Sequence, residues 1–196
     1  IHITWMGAHD IPNGFERKQY VESLLTEQLP SVLKQGHANS VDVFCEPGWF
    51  TLSDTEDICK DAINGGLNVR LHVDEFADGG GLALAAELGA RTADHALHSN
   101  DDAREAASKA GTVQGFLPGT PYVLGNDNWP PAKHCTENQW AWSLASDFNP
   151  NCQSLSIPMV GSLTTHRMGV DPIAALAAST RNPATTLTDE KLIDGI

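Results

Sequence analysis

The sequence predicts an α/β chain of the barrel type, built from six successive strand–helix units. Three observations carry this. Short β-branched or apolar runs alternate with stretches of helical periodicity through the chain. Chemistry-bearing residues recur at the carboxyl ends of the strands, near His9, Glu46, His72 with Glu75, His95, Thr120 and Asp147. These positions lie 23 to 37 residues apart, close to the ~30 residues per unit of an eight-stranded α/β barrel, which keeps its chemistry at that end. A doubly wound open sheet is the other architecture this alternation permits.

Each element has its own signal. Ile1 to Gly7 is apolar and β-branched and delivers His9 at its end. Pro12-Asn13-Gly14 is a turn, and Glu16 to Lys34 places Tyr20, Val21, Leu24, Leu25 and Leu29 on one helix face. Pro30 should kink that helix or split it in two. Val41 to Glu46 is a strand stopped by Pro47-Gly48. Ser53 with Glu56 three residues on predicts a capping box for a helix ending at Asn64-Gly65-Gly66.

The central strand follows, from Asn68 to Phe76. Val69, Leu71 and Val73 alternate with Arg70, His72 and Asp74, so the apolar set meets a covering helix and the polar set faces the interior. Glu75 falls where the strand opens into Asp78-Gly79-Gly80-Gly81. Leu82 to Leu88 is a short helix, Thr92 to Leu97 a strand carrying His95, and Ser99 or Asn100 caps a helix running to Gly111. Thr112 to Leu117 is a strand, about 122–133 a long loop of the kind that often carries function, and Gln139 to Ser146 the last strand. Helices at Ile157 to Arg167 and Pro172 to Thr180 close the fold, and the tail to Gly195-Ile196 has no evident cap.

Composition narrows the function. The 196 residues are 41% hydrophobic, enough for one sizeable core, and carry 12 basic against 25 acidic residues, a net charge of −13. Nucleic acid and anionic membrane surfaces call for the opposite sign, so neither is an expected partner. The apolar runs are too short to span a bilayer. Cys45, Cys59, Cys135 and Cys152 lack zinc-finger spacing and read as reduced thiols of a cytoplasmic protein.

Taken as a ring of strand ends, His72 and Asp147 offer a nitrogen and an oxygen ligand suited to Zn²⁺ or Fe²⁺. His95 and Glu75 are candidates for proton transfer and transition-state stabilisation, and His9 and Asn149 for orienting a polar substrate. Each has a structural alternative, Asp147 as a turn residue before Asn-Pro and His95 as a buried histidine bonded to a carbonyl. Singly those alternatives stand; together they leave unexplained why all the residues fall on one rim.

The segments Gly7-Ala8-His9, Val41 to Glu46, His72-Val73-Asp74-Glu75-Phe76, Ala86-Glu87-Leu88-Gly89-Ala90, Ala93-Asp94-His95, Phe116-Leu117-Pro118-Gly119 and Ala145 to Pro150 resemble imidazolonepropionase, an amidohydrolase-superfamily family of histidine degradation. Arg167-Met168 and Thr180 to Ala184 continue the resemblance. It implies a metal-dependent hydrolase domain over residues 1–196, with one divalent metal, Zn or Fe, held by His72 and Asp147 together with an HxH pair. It also implies catalysis by His95, Glu75 and Asp147, and substrate contacts from His9, Glu75 and Asn149. Asn151 and Cys152 stand where the commoner pattern has a glycine and a small hydroxyl residue that bind substrate; salt-loving archaeal members look similar to this version.

No HxH occurs in these residues. The resemblance therefore implies an incomplete (β/α)8 barrel, about strands 3 to 8, whose first two strands lie upstream. Six strands leave two unpaired sheet edges, from which a homodimer or an aggregate is expected. The implied reaction is hydrolysis of 4-imidazolone-5-propanoate to N-formimidoyl-L-glutamate, with hydroxide generated at the metal attacking the cyclic amide carbonyl. Another amidohydrolase, a deaminase or cyclic amidase, and an inactive fragment without metal are the competing expectations.

Overall fold

The computed structural model describes residues 1–187. Its centre is one six-stranded sheet in the order β1 (Thr4–Ala8), β2 (Ser40–Cys45), β3 (Asn68–Val73), β4 (Thr92–His95), β5 (Val113–Phe116) and β6 (Trp142–Leu144). Every neighbouring pair is parallel and consecutive in the chain. An unreversed order of this kind is that of successive barrel strands; a doubly wound sheet reverses its order at a switch point. Among the described residues β1 and β6 are the two edges.

The alternation of β3 is as the sequence dictates. Val69, Leu71 and Val73 are buried, whereas Asn68, Arg70 and His72 are half-buried on the other face. Leu71 and Val73 join Val41, Val43, Ile58, Leu82 and Ala93 in a core between sheet and helices. In register, Phe44 of β2, His72 of β3, Asp94 of β4, Gly115 of β5 and Ser143 of β6 form one row across the interior face.

Gly115 is required in that row. A Cβ built there would overlap the Asp94 carboxylate. Gly115→Ala is therefore expected to force β4 and β5 apart and to destabilise the protein by about 1–3 kcal/mol, read by thermal unfolding.

Several local expectations are corrected. The first helix is interrupted ahead of Pro30 rather than at it: α1 (Arg17–Ser23) passes through a π-helical stretch (Leu24–Gln28) into α2 (Leu29–Gln35), with Pro30 in the first turn of α2. The wider turn before the proline bonds Leu29 N–H to the Leu24 carbonyl and absorbs the clash a proline makes with the preceding turn. Helix α3 (Leu52–Asn64) is capped by Thr51 with Asp54, two residues before the Ser53–Glu56 pair. Arg17 also pairs with Asp54, tying α1 to that cap.

Helix α4 (Gly81–Glu87) and α5 (Asp101–Ala110), the latter capped by Asn100, follow the sequence reading. The segment expected to be a loop holds the end of α6 (Gly119–Leu124) and the start of α7 (Ala132–Glu137). Strand β6 is shorter than the predicted Gln139 to Ser146, because Gln139 turns at φ 58° and Trp140 N–H bonds back to the Cys135 carbonyl. The end has α8 (Ile157–Met168), α9 (Pro172–Ser179) and a further turn, α10 (Arg181–Ala184). The expectation about Gly195-Ile196 lies outside the described residues.

Candidate metal centre

Three strands end in left-handed backbone. Asp74 follows β3 at φ 50°, His95 and Ala96 end β4 at 66° and 45°, and Asp147 stands beyond β6 at 54°. None is glycine, so each costs on the order of 1 kcal/mol, a strain that clusters at functional sites. This turn ends β3 at Val73 and β4 at His95, short of Phe76 and Leu97 where the sequence pattern ran on. It is held by Ala96 N–H to the Val73 carbonyl at 2.9 Å and His98 N–H to the Asp74 carbonyl at 2.9 Å. Arg104, fully buried, donates to the Ala96 carbonyl at 2.7 Å and to Gln114 Oε1 at 2.6 Å.

The left-handed turns bring His72, His95 and Asp147 together, with one ligand atom from each lying within 4.8 Å of the others. His95 Nε2 is 3.5 Å from Glu75 Oε2. Thr120, the strand-end residue after β5, donates its hydroxyl to Asp147 Oδ2. Glu46, buried, accepts the Glu75 backbone N–H and so holds that residue over the site. Four of the sequence-predicted residues thus meet at one place: His72, Glu75, His95 and Asp147.

His9 stands beside them, joined through a residue the sequence did not single out. Asp42 is 4% exposed, and its Oδ1 lies 3.0 Å from His72 Nδ1 and 3.2 Å from His9 Nε2. The first contact is an aligned hydrogen bond. The second is close enough for charge attraction but not aligned, and His9 Nε2 is a buried nitrogen without a hydrogen-bond partner. Asp42 was hidden because Val41-Asp42-Val43-Phe44 carries no motif, and its partner His72 is 30 residues away.

Asn149, Asn151 and Cys152 form a loop bracing itself beside Asp147. Asn149 donates to the Asp147 carbonyl at 2.9 Å, and its Oδ1 accepts Asn151 N–H at 2.8 Å and Cys152 N–H at 3.2 Å. One Asn149 amide hydrogen is left over. Cys152 is buried, its thiol against the Ser146 carbonyl. All four cysteines are buried and unpaired.

Burial dominates the electrostatics. It pushes the Glu75 carboxyl up to about 7, the Asp147 carboxylate adding to it. It pulls the His95 imidazolium down to about 3, with His72 adding to the effect, so His95 is neutral. Burial would lower His72 too, but the Asp42 carboxylate outweighs it and lifts the imidazolium to about 10. Burial likewise raises Asp42, and His72 and His9 outweigh that, holding its carboxyl far below the ordinary carboxylate range. Asp94, half-buried on the same row as His72, is pushed up to about 6 by desolvation against the pull of His72.

The donor set fits a divalent cation. Two imidazoles and a carboxylate converge, and the His72–Asp42 hydrogen bond is the support a metal-bound histidine ordinarily has on its second nitrogen.

No family model matches the chain. It is 40% identical over 188 residues to an imidazolonepropionase of Symbiobacterium thermophilum, covering 94% of this chain and 44% of that protein. It is 37% identical over 184 residues to an imidazolonepropionase of Haloarcula marismortui, with the same two coverages. Its fold matches a guanine deaminase from C. acetobutylicum, solved with bound guanine, at a TM-score of 0.71 and 11% identity, covering 94% of this chain and 51% of that one. The six parallel strands and their helices are accordingly an incomplete TIM barrel, matching about half the length of that chain. The chain is homologous to the imidazolonepropionases, and it spans a little under half the length of the relatives it matches.

Proposed function

We propose that the protein carrying this chain hydrolyses 4-imidazolone-5-propanoate to N-formimidoyl-L-glutamate. The observation that carries the reading is the convergence of His72, His95 and Asp147 on the rim of a chain homologous along 94% of its length to imidazolonepropionases. His72 and Asp147 would hold one Zn²⁺ or Fe²⁺, with His95 within reach of the same ion. Such an ion acidifies a water and polarises a carbonyl.

The remaining work falls to this chain's side chains. Asp147 takes the proton that the attacking water sheds and delivers it to the leaving ring nitrogen. Neutral His95 donates to the carbonyl oxygen as it gains charge. Glu75, 3.5 Å from His95, accepts the ring N–H and selects the reactive tautomer. His9 contacts the substrate across the Asp42 bridge, Asn149 through its remaining amide hydrogen, and Asn151 and Cys152 shape that wall. A deaminase would share the ring of strand ends, but here it has only fold likeness at 11% identity behind it.

Three collateral readings go with this one. The chain alone, short of the ligands an HxH pair would add, is inactive. Its exposed edges at β1 and β6 favour a homodimer. The buried thiols suit a reducing compartment, and we place the protein in the cytoplasm. Among the described residues no helix is long and apolar enough to cross a membrane.

Steady-state kinetics on the full-length protein test the assignments. His9→Ala is expected to raise KM on the order of tenfold while kcat changes little, the pattern of lost ground-state binding. A normal KM would remove His9 from the substrate contacts.

A further inference from the structure

Beside the His72–His95–Asp147 group lies a second one, His9–Asp42–His72, that shares His72 with it. A second cation fits poorly there. The Nδ1 of His72 is taken by Asp42, and an imidazole serving two ions would have to lose both ring protons. The geometry suits a different device. An ionised carboxylate only accepts hydrogen bonds. Asp42 Oδ1 is hydrogen-bonded with His72 Nδ1 at 3.0 Å and lies 3.2 Å from His9 Nε2, within reach though not aligned, so a metal on Nε2 of His72 leaves the hydrogen of that ring on Nδ1, and a hydrogen on His9 Nε2 would find the same oxygen as its acceptor.

His9 Nε2 is buried and makes no hydrogen bond, so a small turn of its ring toward Asp42 Oδ1 would satisfy it. The two rings also restrain each other. His9 and His72 meet edge-on with centroids 4.7 Å apart, and Phe44, two residues beyond Asp42 on the same face of β2, stacks against His9 at 6.1 Å and edges His72 at 6.2 Å.

We propose that Asp42 is a positioning residue that fixes the tautomer of both histidines at once. It turns Nε2 of His72 toward the metal and Nδ1 of His9 toward the substrate as a hydrogen-bond acceptor. The inference rests on the metal reading above. It adds a substrate criterion: the molecule bound at His9 must present an N–H or O–H donor there, as a ring amide does and an N-alkylated ring does not.

Cobalt(II) titration of the full-length protein, followed by visible absorption, tests the inference without any assay of turnover. Asp42→Asn keeps the shape of the side chain but removes the charge. It is expected to weaken cobalt binding on the order of tenfold or more and to shift the absorption bands. A residue with a merely structural role would lower the unfolding temperature and leave both unchanged. Cobalt affinity within twofold of the unsubstituted full-length protein, with an unaltered circular dichroism spectrum, would overturn the proposal. An unsubstituted full-length protein that takes no cobalt would overturn the metal reading, and this inference with it.

Nitrogen-15 NMR of the histidine-labelled, zinc-loaded full-length protein reads the same geometry with no substitution, should Asp42→Asn not fold. Hydrogens on His72 Nδ1 and His9 Nε2 are the expected result. A hydrogen on His9 Nδ1 would contradict it.

Discussion

Replacing Asp147 by alanine is expected to lower kcat/KM of the full-length protein on the order of 10³-fold or more, equivalent to about 4 kcal/mol of transition-state stabilisation. The size follows from position. Asp147 stands in left-handed backbone, accepts the Thr120 hydroxyl and has a ligand oxygen within 4.8 Å of those of His72 and His95. In the proposed reaction it is both metal ligand and proton carrier, so one substitution removes two functions. Metal content measured on the same preparation should fall as well. An Asp147→Ala enzyme with unchanged kcat/KM would exclude the residue from the chemistry.

The largest effect on stability is expected one residue before the site glutamate. Asp74 is 1% exposed, and its carboxylate serves four donors. Oδ1 accepts Gly79 N–H at 3.1 Å and Gly81 N–H at 3.0 Å, while Oδ2 accepts Leu82 N–H at 3.2 Å and the Ser99 hydroxyl at 2.6 Å. Helix α4 has Gly80 at its N-cap and no capping side chain of its own there. Asp74 supplies that cap from the strand before it, and ties the Ser99 loop to the same point.

Asp74→Ala would strand those buried donors, a cost of about 3 kcal/mol or more. For a chain of this size that is a fall of about 6–12 °C in the unfolding temperature. Asp74→Asn, which keeps an acceptor oxygen, should lose less. Equal melting of the alanine variant and the unsubstituted protein would show that the glycine-rich turn holds its shape without the carboxylate.

The sequence made some of this legible because certain patterns are local. Strict alternation through Val69, Leu71 and Val73 needs no partner to be read as a strand with one covered face, and β3 has that face buried. The recurrence of polar residues at strand ends located His72, Glu75, His95 and Asp147, since a parallel α/β sheet brings such ends to one rim. Their roles are a separate matter, for kinetics and metal analysis to decide.

What stayed hidden depends on tertiary pairing or on degenerate local rules. Asp42 has meaning only once Phe44 is set in register with His72. Thr51 and Ser53 both begin a plausible capping spacing, and the choice between them turned on Arg17, which reaches the Thr51–Asp54 pair from 34 residues away. Asn149 offers no hint in sequence that three of its hydrogen-bonding functions are spent on its own loop. The π-helical stretch before Pro30 answers a clash that the sequence signals, but by a route that a proline rule does not specify.

Whether this rim belongs to a metal-dependent imidazolonepropionase is tested most directly by the disappearance of 4-imidazolone-5-propanoate with the full-length protein, before chelation, after chelation, and after Zn²⁺ or Fe²⁺ is restored. The account predicts turnover that is lost with the metal and recovered with it, yielding N-formimidoyl-L-glutamate. A fully metal-loaded protein that leaves this substrate intact while hydrolysing another cyclic amide or deaminating a purine would contradict it.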